Sequence, residues 1–359
     1  MADKFMMDSH KLLWHLDRVH EWQSGKRNAP LHIDFGIVTG CNMGCKYCYG
    51  VIQGRKGEYG GYLMPKEAIL RFLKDSKDVG VRSIAFIGEG ENTLNPALYD
   101  SLNYAKEIGL DVSLATNGIE IEHDRIKDML ESLTWIRFNF SAVGAESFYN
   151  MHKVREDEYL KILDNIKKCV EIKKKYNLKA TIGLQMVLMH DNVDDVVPLA
   201  KLGKELGVDY LVVKPTSDTF DKRLNSPDKE YKDMEDIFKE AESYSDDEYI
   251  VSVKWAKMMN EGKKDYQVCY GTKFILAVSG NGNVFPCGHW FNIRPEEFLM
   301  GNIVETSFKD IVNSEQYWNV QKRIESVDVI KDCETNCRQH YVNQFLSKIK
   351  TAPPHVNFI

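Results

Sequence analysis

The sequence lacks the features that would direct the chain into or across a membrane. Its first ten residues, MADKFMMDSH, contain no basic-then-apolar export signal, and no apolar run approaches the length of a membrane span. It also lacks an excess of basic residues, because 47 Lys and Arg stand against 53 Asp and Glu. The resulting net charge of −6 argues against a broad nucleic-acid-binding surface. These absences predict a cytoplasmic protein that has no membrane or nucleic-acid partner.

Cysteine is infrequent, but it is clustered. Three of the eight cysteines lie within eight residues near the N-terminus, and four lie after residue 268. Without an export signal, a reducing compartment favours thiols that serve as metal ligands or catalysts over disulfides. The remaining one, Cys169, lies on the apolar face of a predicted helix and is expected to be a buried structural residue.

Strand and helix patterns alternate along the first two thirds of the chain, which predicts a parallel sheet, either a barrel or doubly wound. Functional groups then gather where the strands end. A glycine-rich stretch at 53–62 predicts a flexible loop, and Ser279-Gly280-Asn281-Gly282 predicts a hairpin turn. The predicted strands cover residues 32–38, 83–87, 111–115, 135–140, 180–188 and 210–214.

The sequence Cys41-Asn-Met-Gly-Cys45-Lys-Tyr-Cys48 directly follows the first predicted strand. Three thiolates at this spacing can each bind one iron of a cubane cluster, which leaves the fourth iron open to a small molecule. The alternative is a zinc site completed by a histidine elsewhere. The position of the loop, between a strand and a helix of a parallel α/β domain, favours iron–sulfur.

This loop resembles the signature of the radical S-adenosylmethionine (SAM) superfamily. The resemblance implies an α/β fold, a partial (β/α)6 TIM-like barrel, in which a 4Fe–4S cluster held by the three cysteines binds SAM. An electron supplied by a reductant such as flavodoxin or ferredoxin then cleaves SAM to methionine and a 5′-deoxyadenosyl radical.

Several further segments resemble SAM-binding segments of that superfamily. Gly88-Glu-Gly-Glu-Asn92 is similar to its Gly-Gly-Glu-Pro segment, with Asn92 where proline is usual. Gly90 would let the backbone approach SAM, and Glu91 would accept a hydrogen bond from the SAM amino group. The alternative is that this segment is only an acidic turn at the end of a strand. The other cofactor contacts that the resemblance implies are Tyr47, Thr116, Asn117, Ser141 and Gln185.

The second cysteine set comprises Cys269, Cys287, Cys333 and Cys337, with 17, 45 and three residues between them. It resembles the twitch module, a shortened form of the SPASM extension, as in the butirosin dehydrogenase and the molybdenum-cofactor cyclases. The resemblance implies one auxiliary 4Fe–4S cluster in a small C-terminal α+β module. The alternative is a structural zinc held by all four thiolates.

The predicted function is that of a radical SAM enzyme of dehydrogenase type that abstracts hydrogen from a small polyhydroxylated substrate such as a sugar or aminocyclitol. A maturase of ribosomally made peptides is the enzymatic alternative, and no leader-binding domain is expected before residue 31. A zinc-stabilised binding module is the non-enzymatic alternative. The expected layout is an N-terminal helix and linker, the barrel, a connecting region, the cluster module and a tail, at 1–30, 31–216, 217–259, 260–350 and 351–359.

Overall fold

The computed structural model describes residues 4–48, 50 and 61–358 of the chain. Most of the predicted glycine-rich loop, 53–60, therefore lies outside the described residues. One sheet of ten strands organises the described chain, in the order β10-β9-β8-β1-β2-β3-β4-β5-β6-β7. Strands β8 and β1 to β7 run parallel, whereas β9 and β10 are antiparallel additions.

The strands are short, and each of the first six follows the predicted alternation with helices. Their bounds are β1 His32–Phe35, β2 Ser83–Phe86, β3 Asp111–Thr116, β4 Leu133–Asn139, β5 Thr181–Leu188, β6 Tyr210–Pro215, β7 Ile250–Val253, β8 Ile275–Val278, β9 Asn283–Phe285 and β10 Gly301–Asn302.

The α-helices of the described residues pack outside the parallel strands or against the C-terminal hairpin. They are α1 Leu16–Gln23, α2 Lys66–Asp78, α3 Leu98–Glu107, α4 Ile126–Ser132, α5 Ala145–His152, α6 Glu156–Tyr176, α7 Val196–Leu206, α8 Glu235–Glu242, α9 Trp255–Met258, α10 Pro295–Phe298, α11 Phe308–Asn313, α12 Glu315–Ile324 and α13 His340–Lys350. None of the described helices is both long and apolar enough to cross a bilayer.

Helix α6 shows how local sequence sets these elements. Three acidic residues occupy its first turn and three lysines its last, which complements the helix dipole. Asn177 ends the helix in the left-handed conformation, at φ 52°. Its buried stripe packs on the sheet and includes Cys169, which is fully buried as expected. Burial raises the pKa of that thiol to about 12.

The predicted α/β class and parallel sheet are confirmed, and the sheet extends further than six strands. β7 lies within residues assigned to the connecting region, yet it pairs in parallel with β6. β8, from the C-terminal part of the chain, pairs in parallel with β1. Both parts of the chain therefore contribute strands to one sheet, because the exposed edges of an open barrel are satisfied by further pairing.

Candidate active site

The cysteine loop is held by a close approach of two backbone segments. A Cβ atom on Gly90 would lie 2.4 Å from both the Gly40 and the Val38 carbonyl oxygens, so only glycine fits there. The Glu91 N–H donates to the Gly40 carbonyl at 2.8 Å. The segment that resembles Gly-Gly-Glu-Pro therefore fixes the start of the loop that carries Cys41.

The structure brings Cys41, Cys45 and Cys48 together at the carboxyl end of β1. Each of the three is half-buried, and none forms a disulfide. Burial, with the neighbouring Cys48 and Cys41 thiols, raises the pKa of Cys45 well above its usual value. Cys45 therefore lies near enough to Cys48 and Cys41 for these thiols to affect its ionisation.

A histidine that no sequence pattern indicates as a site residue lies against this thiol set. The Nδ1 atom of His152, at the end of α5, lies 3.1 Å from Cys45 Sγ. The ring is fully buried, which lowers its pKa to about 3 and keeps it neutral. It stacks on Phe148 at 4.2 Å between ring centroids and meets Tyr47 edge-on.

The Glu91 carboxylate is the centre of a buried hydrogen-bond network and is not exposed to solvent. Its Oε1 accepts from the Thr93 N–H at 3.1 Å and from the Thr116 hydroxyl at 2.8 Å. Its Oε2 accepts from the Asn117 N–H at 2.7 Å. Burial raises the pKa of Glu91 despite these donors. The nearby Glu89, by contrast, lines a cavity of about 300 Å³ that also reaches Tyr47 and Cys48.

The other predicted cofactor contacts fall into two groups. Tyr47 and Gln185 line the cavity. Asn117 and Ser141 are buried behind the thiols. The Asn117 amide Nδ2 lies 3.9 Å from Cys41 Sγ, and the Ser141 N–H donates to His152 Nε2 at 3.1 Å. The structure therefore places these two residues in the wall that supports the cysteine loop.

The C-terminal cysteines form the second set. Cys269 precedes β8, Cys287 follows β9, and Cys333 and Cys337 lie before α13. Burial, followed by the Cys337 and Cys269 thiols, raises the pKa of Cys287. A hydrogen bond that the Cys337 thiol donates to Cys333 contributes most to the raised pKa of Cys337. Residues distant in sequence are thus neighbours in space.

Two N–H groups point at sulfurs of this second set. The Gln339 N–H lies 3.4 Å from Cys337 Sγ, and the Asn343 amide Nδ2 lies 3.5 Å from Cys269 Sγ. The described residues contain no three Cys, His, Asp or Glu side chains gathered for a single metal ion. Seven thiols in two groups, with N–H donors directed at their sulfurs, fit the donor chemistry of iron–sulfur clusters.

One cavity separates the two thiol sets. It has a volume of about 300 Å³. Tyr47 and Cys48 line one side, and Cys287 and Cys337 line the other. His289 also lines it and is buried, with its pKa lowered to about 4 by burial. This inter-cluster cavity is large enough for a small molecule held between both sets.

A parallel α/β sheet that carries two separate thiol sets at its cavity defines an iron–sulfur enzyme. The family profile described as "Radical SAM superfamily" matches residues 36–203, and that described as "Iron-sulfur cluster-binding domain", SPASM, matches residues 269–338. The chain carries a radical SAM domain followed by a C-terminal SPASM domain. The radical SAM domain binds a 4Fe–4S cluster and SAM, and the SPASM domain binds auxiliary iron–sulfur clusters.

Relatives of similar sequence differ in what their names say they act on. A probable GTP 3′,8-cyclase of Saccharolobus islandicus is 28% identical over 48% of this chain and 52% of its own length. The chain therefore spans about half the length of that relative. A tungsten-containing aldehyde ferredoxin oxidoreductase cofactor-modifying protein of Pyrococcus furiosus is 23% identical over 78% of this chain and 80% of its own length.

Solved structures share the fold. Streptococcus suis SuiB bound to the precursor peptide SuiA superposes with a TM-score of 0.63 at 16% identity. The match covers 96% of this chain and 78% of SuiB. The match shows that the two chains share a fold over nearly the whole of this chain.

Proposed function

We propose that Cys41, Cys45 and Cys48 hold the SAM-binding cluster and that the four C-terminal cysteines hold one auxiliary 4Fe–4S cluster. When bound and reduced, for example by flavodoxin or ferredoxin, the first cluster with SAM supplies a 5′-deoxyadenosyl radical that abstracts hydrogen from substrate. The observation that carries the proposal is the inter-cluster cavity, which reaches Cys48 at one end and Cys337 at the other.

The chain's own residues would orient SAM and substrate. Tyr47 would lie along the adenine, and Gly90 and Glu91 would shape the site for the methionyl group. Gln185, on the cavity wall, donates to Asn139 at 2.9 Å and keeps its carbonyl oxygen for a ligand hydroxyl. Half-buried and buried walls exclude water, which protects a radical from side reactions.

We propose a small polyhydroxylated substrate of the sugar type and an oxidative outcome assisted by the auxiliary cluster. Tyr47 and Cys48, which are assigned to the SAM site, line the same cavity, so its volume of about 300 Å³ leaves room beside SAM for a small molecule rather than for an extended peptide. The name of the Saccharolobus relative denotes a nucleotide substrate, and a nucleotide contains a sugar. Fully buried Cys169 leaves no thiol beyond the seven ligands to return hydrogen, which favours dehydrogenation over epimerisation.

The test is anaerobic incubation of reconstituted enzyme with SAM, a reductant and panels of sugars, nucleotides and peptides. We expect 5′-deoxyadenosine to form, and to form faster with one sugar-containing substrate that is oxidised. The matched control is the protein with Cys41, Cys45 and Cys48 all changed to Ala. An iron-loaded enzyme that forms no 5′-deoxyadenosine would contradict the proposal.

A further inference from the structure

A second cavity lies inside the barrel and continues from the inter-cluster cavity. Its volume is about 450 Å³. Strands β4, β5 and β6 form one wall, and residues around β7 and α9 form another. A molecule could therefore occupy both cavities at once. The two cavities share the lining residues Ile87, Gln185, Lys214, Ser217 and Arg338.

The second cavity is strongly basic. Its lining, among the described residues, contains six cationic side chains and no Asp or Glu. This excess is local, because the whole chain has a net charge of −6. We call this space the basic cavity. Its cationic lining residues are Lys11, Arg137, Lys214, Lys254, Lys257 and Arg338.

Three of these cations already have partners at the cavity edge. Arg338 forms an ion pair with Asp34 at 2.5 Å. Lys257 donates to the Cys337 carbonyl at 2.7 Å, and Lys254 donates to the Met7 carbonyl. These contacts hold the positive charges in place around the space without filling it.

The two cations on the strand wall are different. Neither Arg137 on β4 nor Lys214 on β6 forms an ion pair with any described residue, and the Arg137 Nε atom is buried without a hydrogen-bond acceptor. Tyr210 lies beside Arg137, since Gly183 leaves room for its ring: a Cβ there would lie 2.1 Å from it. Arg137 and Lys214 therefore present donors to the cavity without an ion-pair partner among the described residues, and Asp34, which pairs with Arg338, acts on Arg137 only from a longer distance.

This arrangement works against the stability of the empty protein. Burial, together with the neighbouring charges of Arg137, Lys257 and Arg338, lowers the pKa of Lys214 to about 7. Burial also lowers the pKa of Arg137. Half-buried like charges that face one another are retained when a ligand of opposite charge compensates them.

We propose that the basic cavity binds an anionic group of the substrate, a phosphate or clustered carboxylates, through Lys214 and Arg137. The inference rests on the proposed function, since it places the reacting, hydroxylated part of the same molecule in the inter-cluster cavity. The proposed substrate is therefore a sugar derivative with a multiply charged anionic group. A cationic aminocyclitol would be repelled from this space.

The N-terminal residues strengthen the anion site by closing its far end. Phe5, Met6 and Met7 line the basic cavity, and the Phe5 ring packs on Tyr210 at 5.5 Å between centroids. An apolar cap lowers the local dielectric, so each charge–charge contact inside is stronger than it would be in water.

The experiment is isothermal titration of reconstituted holoprotein with two probes, inorganic pyrophosphate and tricarballylate. We expect the wild-type protein to bind at least one of them, and Lys214→Met and Arg137→Met each to weaken that binding by about tenfold, as for one charge-assisted contact. Preference for pyrophosphate would identify a phosphate site, and preference for tricarballylate would identify a carboxylate site. The matched control is Lys161→Met, because Lys161 pairs with Glu120 on the outer surface at 3.1 Å.

The inference is overturned if the wild-type protein binds neither probe, or if both cavity variants bind as tightly as the wild type. It is also overturned if the Lys161→Met control loses as much affinity as they do. Failure of the proposed function is separately visible. If the wild-type protein binds pyrophosphate through Lys214 but never cleaves SAM, the anion site is supported and the proposed chemistry is contradicted. If it cleaves SAM but binds neither probe, the proposed chemistry is supported and the anion site is contradicted.

Discussion

The Nδ1 atom of His152 lies 3.1 Å from Sγ of Cys45, while Nε2 of the same ring accepts from the Ser141 N–H at 3.1 Å. A neutral imidazole carries one proton, and the Ser141 contact assigns the acceptor role to Nε2. The proton is therefore on Nδ1 and points at the cysteine sulfur. His152 is a positioning residue that donates a hydrogen bond to one thiol of the first set.

Changing His152 to Phe should make the reduction potential of the first cluster more negative. A hydrogen bond to a ligand sulfur stabilises the reduced cluster, which carries more negative charge. Loss of a hydrogen bond of about 1 kcal/mol corresponds to roughly 40 mV for one electron. Potentiometric titration followed by electron paramagnetic resonance would measure the shift. Phe preserves the stacking on Phe148.

The control for this variant is His20→Phe, because His20 is exposed on α1 away from both thiol sets. It should leave the potential unchanged. An unchanged potential in His152→Phe, with the cluster fully loaded, would show that the His152–Cys45 contact does not act on the cluster.

Iron content should follow the two thiol sets. Reconstituted protein should bind about eight irons per chain, and about four after Cys41, Cys45 and Cys48 are all changed to Ala. Iron and zinc analysis of anaerobically prepared protein measures this directly. Stoichiometric zinc with no iron would favour the zinc alternative for both sets.

Glu91→Gln should weaken SAM binding by about 1.5–3 kcal/mol, the range for a hydrogen bond that involves a charged group. It should also lower the melting temperature, because a neutral amide meets the Thr93 and Asn117 N–H donors less well than a carboxylate does. Glu89→Gln is the comparison, since Glu89 lines the cavity. Normal SAM affinity in Glu91→Gln beside a loss in Glu89→Gln would move the SAM contact by two residues.

Lys214→Met should increase the free energy of unfolding by about 1–2 kcal/mol near pH 6.5, because it removes a half-buried unpaired charge. The pKa of Lys214 is about 7 when folded, against 10.5 for an ordinary lysine. The charge is therefore present in both states below pH 7, and the gain should shrink as pH rises from 7 toward 10.5. Urea unfolding at pH 6.5 and 9 measures it. A destabilised variant would mean that Lys214 supports the fold.

The cysteine loop and the order of the barrel strands could be predicted from the sequence, because both depend on local patterns. Cys41, Cys45 and Cys48 share one loop, and strand–helix alternation in the barrel is visible from periodicity alone. The strand at Ile250–Val253 was not predicted, because four residues after a charged stretch carry too little pattern and pairing with β6 decides their structure. Helices α11 and α12 follow each other directly and are separate, because Ser314 caps the second one by accepting from the Tyr317 N–H.

Contacts between distant residues could not be predicted from one sequence. His152 lies 107 positions from Cys45, and a buried histidine near a helix end carries no pattern that indicates its partner. Arg137 and Lys214 each occupy an ordinary strand position. Only the pairing of β4 with β5 and of β5 with β6 places both on one wall of the cavity.

Changing Cys333 and Cys337 together to Ala should separate SAM cleavage from product formation. Hydrogen abstraction leaves a substrate radical, and oxidation requires that radical to lose an electron to an acceptor. Cys337 and Cys48 both line the cavity, so an auxiliary cluster at the second set would be an electron acceptor beside the substrate, and Cys169 is fully buried on α6. The double variant should therefore cleave SAM slowly, measured as 5′-deoxyadenosine, with product lowered by at least tenfold.

Cys169→Ala is the control and should keep both activities, since Cys169 lies outside the cavity lining. Full product from the double variant would make the second cluster dispensable for oxidation. An insoluble double variant beside a soluble Cys169→Ala would assign the set to structure, because its thiols join β8, β9 and α13 across the end of the sheet.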